Sequence, residues 1–487
     1  MTQQQTDFMT QLRAVLPRTE SLINGKWVEP AQALPVLDKF TTQEITTIGA
    51  ASVEQVNQAV AVARAAADAG VPDPTSRANV LRRAAELLAD RREAVATLLT
   101  AEAGFTSPDA HNEIDRALVT LGLSAEAGLR LVGDMVPFAA SPGAHRRLGF
   151  TQRFPVGVVC AITPFNSPLN TVIHKVGPAF AGGNAVILKP SAFTPLTAAA
   201  LAEILLEAGM PPEFLSVLHG EGDTVGTALL QNPDIDFYTF TGSTRVGTII
   251  QAAAGLRRTQ MELGSIASTI ICADADIDRA IPKIVNAGFR KAGQVCTSVQ
   301  RLYVAESVQD EVLEKLRSAA QALVVGDPRH PDTQVGPLIS REAAERAEAW
   351  IQQAVADGAA LQCGGQREGS VVKPAVLTHV SEASQAWCQE AFAPLMSIKP
   401  FSSLDEALQS ANSTPYGLSA GVFTSDIDAA MKASRTLRFG AIHINEASSA
   451  RADVMPFGGV KHSGFGREGP DYAIREMTEE RLVTINP

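Results

Sequence analysis

Cys296 stands in Gly293-Gln294-Val295-Cys296-Thr297-Ser298, a small polar stretch behind the helical-looking segment 276–292. That setting is open to a nucleophilic thiolate as well as to simple packing. The other cysteines, Cys160, Cys272, Cys363 and Cys388, sit among apolar or featureless neighbours and read as buried structural thiols. The count is odd, the spacings are wide and no Cys-x-x-Cys pair occurs, so neither a disulfide framework nor a metal site is indicated. Met261-Glu262-Leu263-Gly264 puts a carboxylate beside apolar residues at a strand end. A raised pKa there suits a general base, although a surface glutamate fits the same pattern. In Thr163-Pro164-Phe165-Asn166-Ser167-Pro168 two prolines fix the loop, making Asn166 either a held amide donor for an oxyanion or an ordinary Asn turn. Phe240-Thr241-Gly242-Ser243-Thr244-Arg245-Val246-Gly247 follows a strand and opens a helix, which suits a pyrophosphate or a plain capped turn. Gly220-Glu221-Gly222-Asp223 is a weaker signal of the same kind. Lys189-Pro190-Ser191, just beyond a strand, offers a cation to a ribose or phosphate, or to solvent.

Positioning these residues needs alternating strands and helices. Runs 157–163, 185–189, 215–219 and 237–241 read as strands, with helices between them, the clearest being 196–208 with Gly209 as its stop. This implies a parallel sheet with right-handed crossovers, which binds nucleotides at the carboxyl ends of its strands. A second α/β region spans about 265–445, with strands at 268–272, 301–305 and 441–444. Ahead of these, Ser52-Val53-Glu54-Gln55 fits a capping box leading into a helix whose inner face carries Val56, Val60, Ala63 and Ala67. Residues 76–103 read as one long amphipathic segment closed by Gly104. Residues 130–155 suggest an extended or hairpin excursion, and 481–485 a terminal strand needing an edge to pair with, in this chain or another.

The chain has 487 residues, a formal charge of −11, 45% apolar residues and 19% charged residues. It is long enough for two to four domains and too apolar for disorder. The negative charge argues against nucleic acid as a partner. No run approaches a membrane span, and residues 1–13 lack the basic-then-apolar pattern of a signal peptide, so a cytoplasmic protein is expected.

Asn166 in its Pro-Phe-Asn-Ser-Pro loop, Lys189-Pro190-Ser191, Phe240-Thr241-Gly242-Ser243, Glu262-Leu263-Gly264, Gly293-Gln294-Val295-Cys296, Glu390-Ala391-Phe392-Ala393-Pro394 and Pro456-Phe457-Gly458-Gly459-Val460-Lys461-x-Ser463-Gly464 occur in one order. Taken together, from about Leu22 to the C-terminus, the sequence resembles the aldehyde dehydrogenase superfamily. The resemblance implies an α/β fold with a Rossmann-like cofactor domain (1–129 and 153–264) and an α/β catalytic domain (265–445). It also implies a small β oligomerisation element (130–152 and 470–487), with 446–469 as active-site and linker segment, and a homodimer or homotetramer. It implies Cys296 as nucleophile, Asn166 with the Cys296 amide as oxyanion donors, and Glu262 as the base that activates water. The cofactor would be NAD or NADP, met by Thr163, Phe165, Lys189, Ser191, Gly222, Phe240, Gly242, Ser243, Leu263, Glu390 and Phe392.

Departures from the family pattern matter. Many NAD-preferring members carry Glu three residues after the lysine, where this chain has Ala192, so like-charge exclusion of a 2′-phosphate is absent. Ser265-Ile266 replaces the common Gly-Lys, and Ala393 a common Gly. Where members acting on hydrophobic aldehydes carry bulky apolar groups, this chain has Asn170, His174, Arg290 and Arg451. With Thr297 and Phe457 these form the expected substrate contacts, resembling the branch that acts on lactaldehyde and short anionic aldehydes. Competing expectations are an enzyme for aliphatic or aromatic aldehydes, a CoA-acylating semialdehyde dehydrogenase, a thiol esterase without redox chemistry, and a non-catalytic binding protein of the same fold. Glu262 argues against CoA acylation, the cofactor motifs against an esterase, and the pairing of Cys296 with Glu262 against a non-catalytic protein.

Overall fold

Short apolar runs that are buried on both faces build two separate, mainly parallel sheets, with helices covering them. The computed structural model describes residues 3–486. Met1, Thr2 and Pro487, which belong to the outer spans expected above, lie outside the described residues.

In the first sheet Leu215–Val217, Ala185–Lys189, Val158–Ile162, Phe237–Thr241 and Arg258–Glu262 are successive parallel neighbours. Antiparallel pieces close the edges, the hairpin Ser21–Ile23/Lys26–Val28 on one side and Gly464–Phe465 on the other. The chain runs outward from Val158–Ile162, then returns to its other flank at Phe237–Thr241. The crevice at that reversal opens beside Thr163 and Thr241, where such sheets bind ligands. In the second sheet Ala375–Thr378, Leu395–Phe401, Val299–Ala305, Ala267–Ile271, Ser419–Phe423 and Ala441–Ile444 are parallel, with Ala360–Cys363 antiparallel at the edge. The third sheet joins Met135–Val136, Leu148–Pro155 and Thr478–Ile485. The terminal strand therefore finds its edge within this chain, pairing from Thr478↔Pro155 to Ile485↔Leu148.

Local signals hold in detail at several points. Ser52 and Gln55 make the reciprocal capping box that starts Val53–Ala69. Gly104 takes the left-handed conformation, φ 70°, that ends Arg92–Ala103. Elsewhere the structure corrects the reading. The expected single segment 76–103 is two helices, Pro74–Asp90 and Arg92–Ala103, because Arg91 leaves helical geometry (φ −99°, ψ 15°). Ala67 is half-buried, and Ala66 points inward instead. Helix Ser107–Leu129 was not anticipated, yet it packs against Pro74–Asp90 and Asn170–Ala181 and reaches the site. Cys160, Cys272 and Cys363 are buried as expected, whereas Cys388 is half-buried.

Candidate active site

The loop that carries Cys296 starts with the turn Arg290–Gly293, in which Lys291, Ala292 and Gly293 all have positive φ (50°, 53° and 71°). A Cβ on Gly293 would lie 2.2 Å from the Ala393 carbonyl oxygen, so no side chain fits there. Opposite stands Asn166, in the loop leaving Val158–Ile162. Its Nδ2 donates to the Gln294 carbonyl oxygen at 2.8 Å, leaving a second N–H free for a ligand. Glu262 ends the strand Arg258–Glu262 and is 2% exposed. Neither of its carboxyl oxygens has a hydrogen-bond partner among the described residues. Gly458 makes room for it, since a Cβ there would sit 2.8 Å from Glu262 Oε1. Burial, reinforced by the nearby charge of Glu468, holds the Glu262 carboxyl well above the usual carboxylate range. Burial and then Glu262 push the half-buried Cys296 thiol up to about 12, while Arg451 pulls it the other way. Cys296 thus rests as a neutral thiol, electrostatically linked to a carboxyl group with no hydrogen-bond partner among the described residues.

Around Cys296 the cleft is walled by cations: Arg116, Arg290, Lys291 and Arg451, together with Thr297, Thr171 and Phe457. Three of the four are compensated. Arg116 binds Asp453 through two bonds of 3.1 and 2.7 Å, Lys291 pairs with Glu113 at 2.9 Å, and Arg451 pairs with Glu468 at 2.8 Å. Arg451 also lies 3.8 Å over the Phe457 ring. Arg290 differs. Its Nη2 donates to Ser449 Oγ at 2.5 Å, and among the described residues no carboxylate forms an ion pair with it. Ser449 in turn accepts from Thr297 Oγ1 at 3.3 Å. Burial lowers Arg290 from its ordinary value, yet an arginine remains charged at any physiological pH.

Asn170 and His174, expected at the substrate, lie one layer behind the cleft wall. Asn170 Nδ2 and His174 Nε2 both reach Asp453 Oδ1 at 2.9 Å, and both residues are buried. Their helix, Asn170–Ala181, turns these positions toward Asp453 rather than toward Cys296. Burial disfavours the Asp453 carboxylate, but His174 and Arg116 outweigh it and hold the group well below the usual range. Arg116, Ser449 and Glu468 were missed by the sequence reading. Arg116 and Asp453 are separated by 337 positions, so no local pattern links them.

The expected cofactor residues gather at the carboxyl ends of the first sheet. Thr163 follows Val158–Ile162, Lys189 ends its strand, Gly222 opens a single π-turn after Leu215–Val217, and Leu263 follows Glu262. Gly242 follows Phe237–Thr241, against the ring of Phe240, and Ser243 caps Thr244–Ala254. Ser191 Oγ accepts from the Phe193 amide at 3.2 Å. Glu390 and Phe392 come from the loop that leads into Leu395–Phe401 of the second sheet. The Phe165 ring stands edge-on to both Phe193 and Phe392, at 5.9 and 5.7 Å. Several groups await a partner. Among the described residues Thr163 Oγ1 and Ser265 Oγ are buried without one, and Lys189, 6% exposed, has a single 3.4 Å bond from its Nζ to the Pro190 carbonyl. Glu390 accepts from the Ser265 amide at 2.8 Å, and burial raises its carboxyl to about 7. An orphaned hydroxyl and a nearly free ammonium at a switch-point crevice fit the ribose and phosphates of a dinucleotide.

The model of the aldehyde dehydrogenase family matches residues 27–483. The chain is 45% identical, over 95% of its length and 97% of the relative's, to 3-sulfolactaldehyde dehydrogenase of Priestia aryabhattai. Among solved structures it is similar to glyceraldehyde-3-phosphate dehydrogenase from Methanocaldococcus jannaschii complexed with NADP, with TM-score 0.90 and 36% identity, covering 94% of this chain and 100% of that one. It is likewise similar to an indole-3-acetaldehyde dehydrogenase from P. syringae in complex with NAD+, with TM-score 0.95 and 32% identity, covering 99% and 100%. No helix among the described residues is long and apolar enough to cross a membrane. With its thiol, its unpartnered carboxyl group and its dinucleotide crevice brought together, this chain belongs to the aldehyde dehydrogenase family and oxidises an aldehyde with NAD or NADP as the acceptor.

Proposed function

We propose that the enzyme converts a short aldehyde with an anionic or strongly polar tail into its carboxylic acid. The observation that carries this is Arg290, a guanidinium beside Cys296 that bonds a hydroxyl and makes no direct ion pair with a carboxylate among the described residues, Asp109 acting on it only from farther off. A partly buried cation with no directly bonded counter-ion is only partly compensated, and a substrate's sulfonate, phosphonate or carboxylate would supply the direct partner. The names of the Priestia and Methanocaldococcus relatives, whose substrates are anionic, support the same reading.

In this reading Cys296 loses its proton toward Glu262 and its sulfur attacks the carbonyl carbon, forming a thiohemiacetal. The oxygen's developing charge is held by the free N–H of Asn166 Nδ2 and the Cys296 backbone amide. Lys189, Ser243 and Glu390 would hold a nicotinamide cofactor, which would supply the acceptor for the hydride that leaves that carbon. The carbon is left as a thioester on Cys296. Once that first proton has passed to solvent, the Glu262 carboxylate takes a proton from water, whose oxygen attacks the thioester, and the same proton returns to the departing Cys296 sulfur as the acid leaves. Thr163, Phe165, Ser191, Gly222, Phe240, Gly242, Leu263 and Phe392 complete the cofactor crevice in this assignment, while Arg116, Arg451, Thr297 and Phe457 complete the substrate wall. We further infer three functional units built on the three sheets, and a cytoplasmic homodimer or homotetramer assembled through the third, whose strand Thr478–Ile485 leaves one edge unpaired among the described residues.

The test is the initial rate of nucleotide reduction across short aldehydes, each with NAD and with NADP. Succinate semialdehyde, sulfolactaldehyde and phosphonoacetaldehyde should lead lactaldehyde, a medium-chain aldehyde and benzaldehyde by about tenfold, roughly 1.4 kcal/mol. A lead by the aliphatic or aromatic aldehydes overturns the substrate class. Cys296→Ala should abolish turnover while cofactor binding persists, and retained turnover overturns the nucleophile.

A further inference from the structure

Lys291 is charged, 6% exposed and placed in the left-handed region at φ 50°, a conformation that costs any residue with a Cβ. The chemistry described above does not use it. Its Nζ donates to Glu113 Oε2 at 2.9 Å and to the Asn166 carbonyl oxygen at 3.0 Å, and lies 4.1 Å over the Phe105 ring. Glu113 is fully buried, and its other oxygen accepts from Ser167 Oγ at 2.6 Å and from the Asn170 amide at 2.9 Å. One ion pair therefore grips the Asn166 loop at residues 166, 167 and 170. A bond in the opposite sense, from Asn166 Nδ2 to the Gln294 carbonyl, returns to the cysteine loop two residues before Cys296. The Gln294 side chain closes the turn, donating to the Lys291 carbonyl at 3.1 Å and accepting from the Ile339 amide at 2.8 Å.

We propose that Lys291 is a positioning residue: with Glu113 as its anchor, it sets the separation between the Asn166 amide and the Cys296 backbone amide, and so the shape of the oxyanion site. This rests on the assignment of those two groups as oxyanion donors. The two donors sit on loops from different sheets, and a hydrophobic contact would allow sliding that directional bonds to a charged group do not. An ammonium serves both the carboxylate and the peptide oxygen from one point, which methionine of similar length cannot.

The test compares Lys291→Met, Glu113→Gln and the double variant in the full-length enzyme. Lys291→Met should lower kcat about a hundredfold, the effect of misplacing one oxyanion donor, with the aldehyde KM and the cofactor Kd within about twofold. It should also lower Tm, because Glu113 loses its counter-ion. Adding Glu113→Gln removes that stranded charge, so the double variant should regain most of its Tm while kcat stays down. Recovery of kcat together with Tm would reduce Lys291 to a counter-ion and overturn the proposal, as would unchanged kcat in a folded Lys291→Met enzyme. Asn166→Ala is measured alongside: an unaffected kcat there would overturn the oxyanion assignment and the proposal with it, whereas a lowered kcat there with an unchanged Lys291→Met enzyme would overturn the proposal alone.

Discussion

Replacing Arg290 by methionine keeps most of the stem's bulk and removes the one cleft guanidinium that lacks an ion pair among the described residues. A hydrogen bond to a charged partner contributes about 1.5–3 kcal/mol, so kcat/KM for an aldehyde with an anionic tail should fall by roughly 10- to 150-fold. A neutral aldehyde of the same length meets no such charge, and its kcat/KM should change by about twofold or less. The stability cost should be small, because Arg290 gives up a bond to the Ser449 hydroxyl and Asp109, on which it acts from a distance, keeps the stronger influence of Lys291. Arg451→Met is the informative control. It leaves Glu468, 1% exposed, with Lys175 as its remaining cation, and removal of one partner from a buried pair costs about 3 kcal/mol of folding stability. Its losses should therefore fall on Tm and on charged and neutral substrates alike. Initial rates with matched aldehydes, alongside thermal unfolding, separate the two outcomes. Equal fold-losses on charged and neutral aldehydes in the Arg290 variant would refute the charge argument and return Arg290 to a packing role.

Glu262→Gln should slow steady turnover more than the burst of reduced nucleotide, because every turnover needs a base for water whereas the Cys296 proton can also pass to solvent. The rise of kcat/KM with pH that accompanies ionisation of the elevated Glu262 carboxyl should flatten in this variant, and an unchanged steady rate would remove Glu262 from water activation. Ala192→Glu should restore repulsion of a 2′-phosphate and raise the NADP KM at least about tenfold relative to NAD, roughly 1.4 kcal/mol, measured by paired cofactor titrations. Glu102 is fully buried and accepts from the Leu196 and Thr197 amides at 2.7 Å, and burial raises its carboxyl from 4.5 to about 7. The folded state then holds a proton that the unfolded state has released, so this group's contribution to stability declines as pH rises from about 4.5 to about 7 and is constant above. Tm measured across that window should fall more steeply for the wild type than for Glu102→Gln, and parallel curves would contradict the burial argument.

Local order alone determined much of this molecule. Parallel-sheet strands such as Ala185–Lys189 and Phe237–Thr241 are legible because strands buried on both faces must be continuous apolar runs. The helix starts at Ser52 and Ser243 are legible because a cap depends on residues within one turn. Cys296, Glu262 and Asn166 each lie in a short motif that alone admits a plain reading, and what singles them out is the order of seven such motifs and the family it resembles. The tertiary structure decided what depends on distant partners. Arg116, Arg290 and Arg451 look equivalent as residue types. Asp453 and Glu468 consume the charges of the first and last, while Arg290 meets a serine hydroxyl. His174 and Asn170 face Asp453 and not the cleft for the same reason: a buried carboxylate needs several donors, and the helix Asn170–Ala181 is where the fold presents them. Which polar group is satisfied by the protein, and which is left for a ligand, follows from contacts made across hundreds of residues.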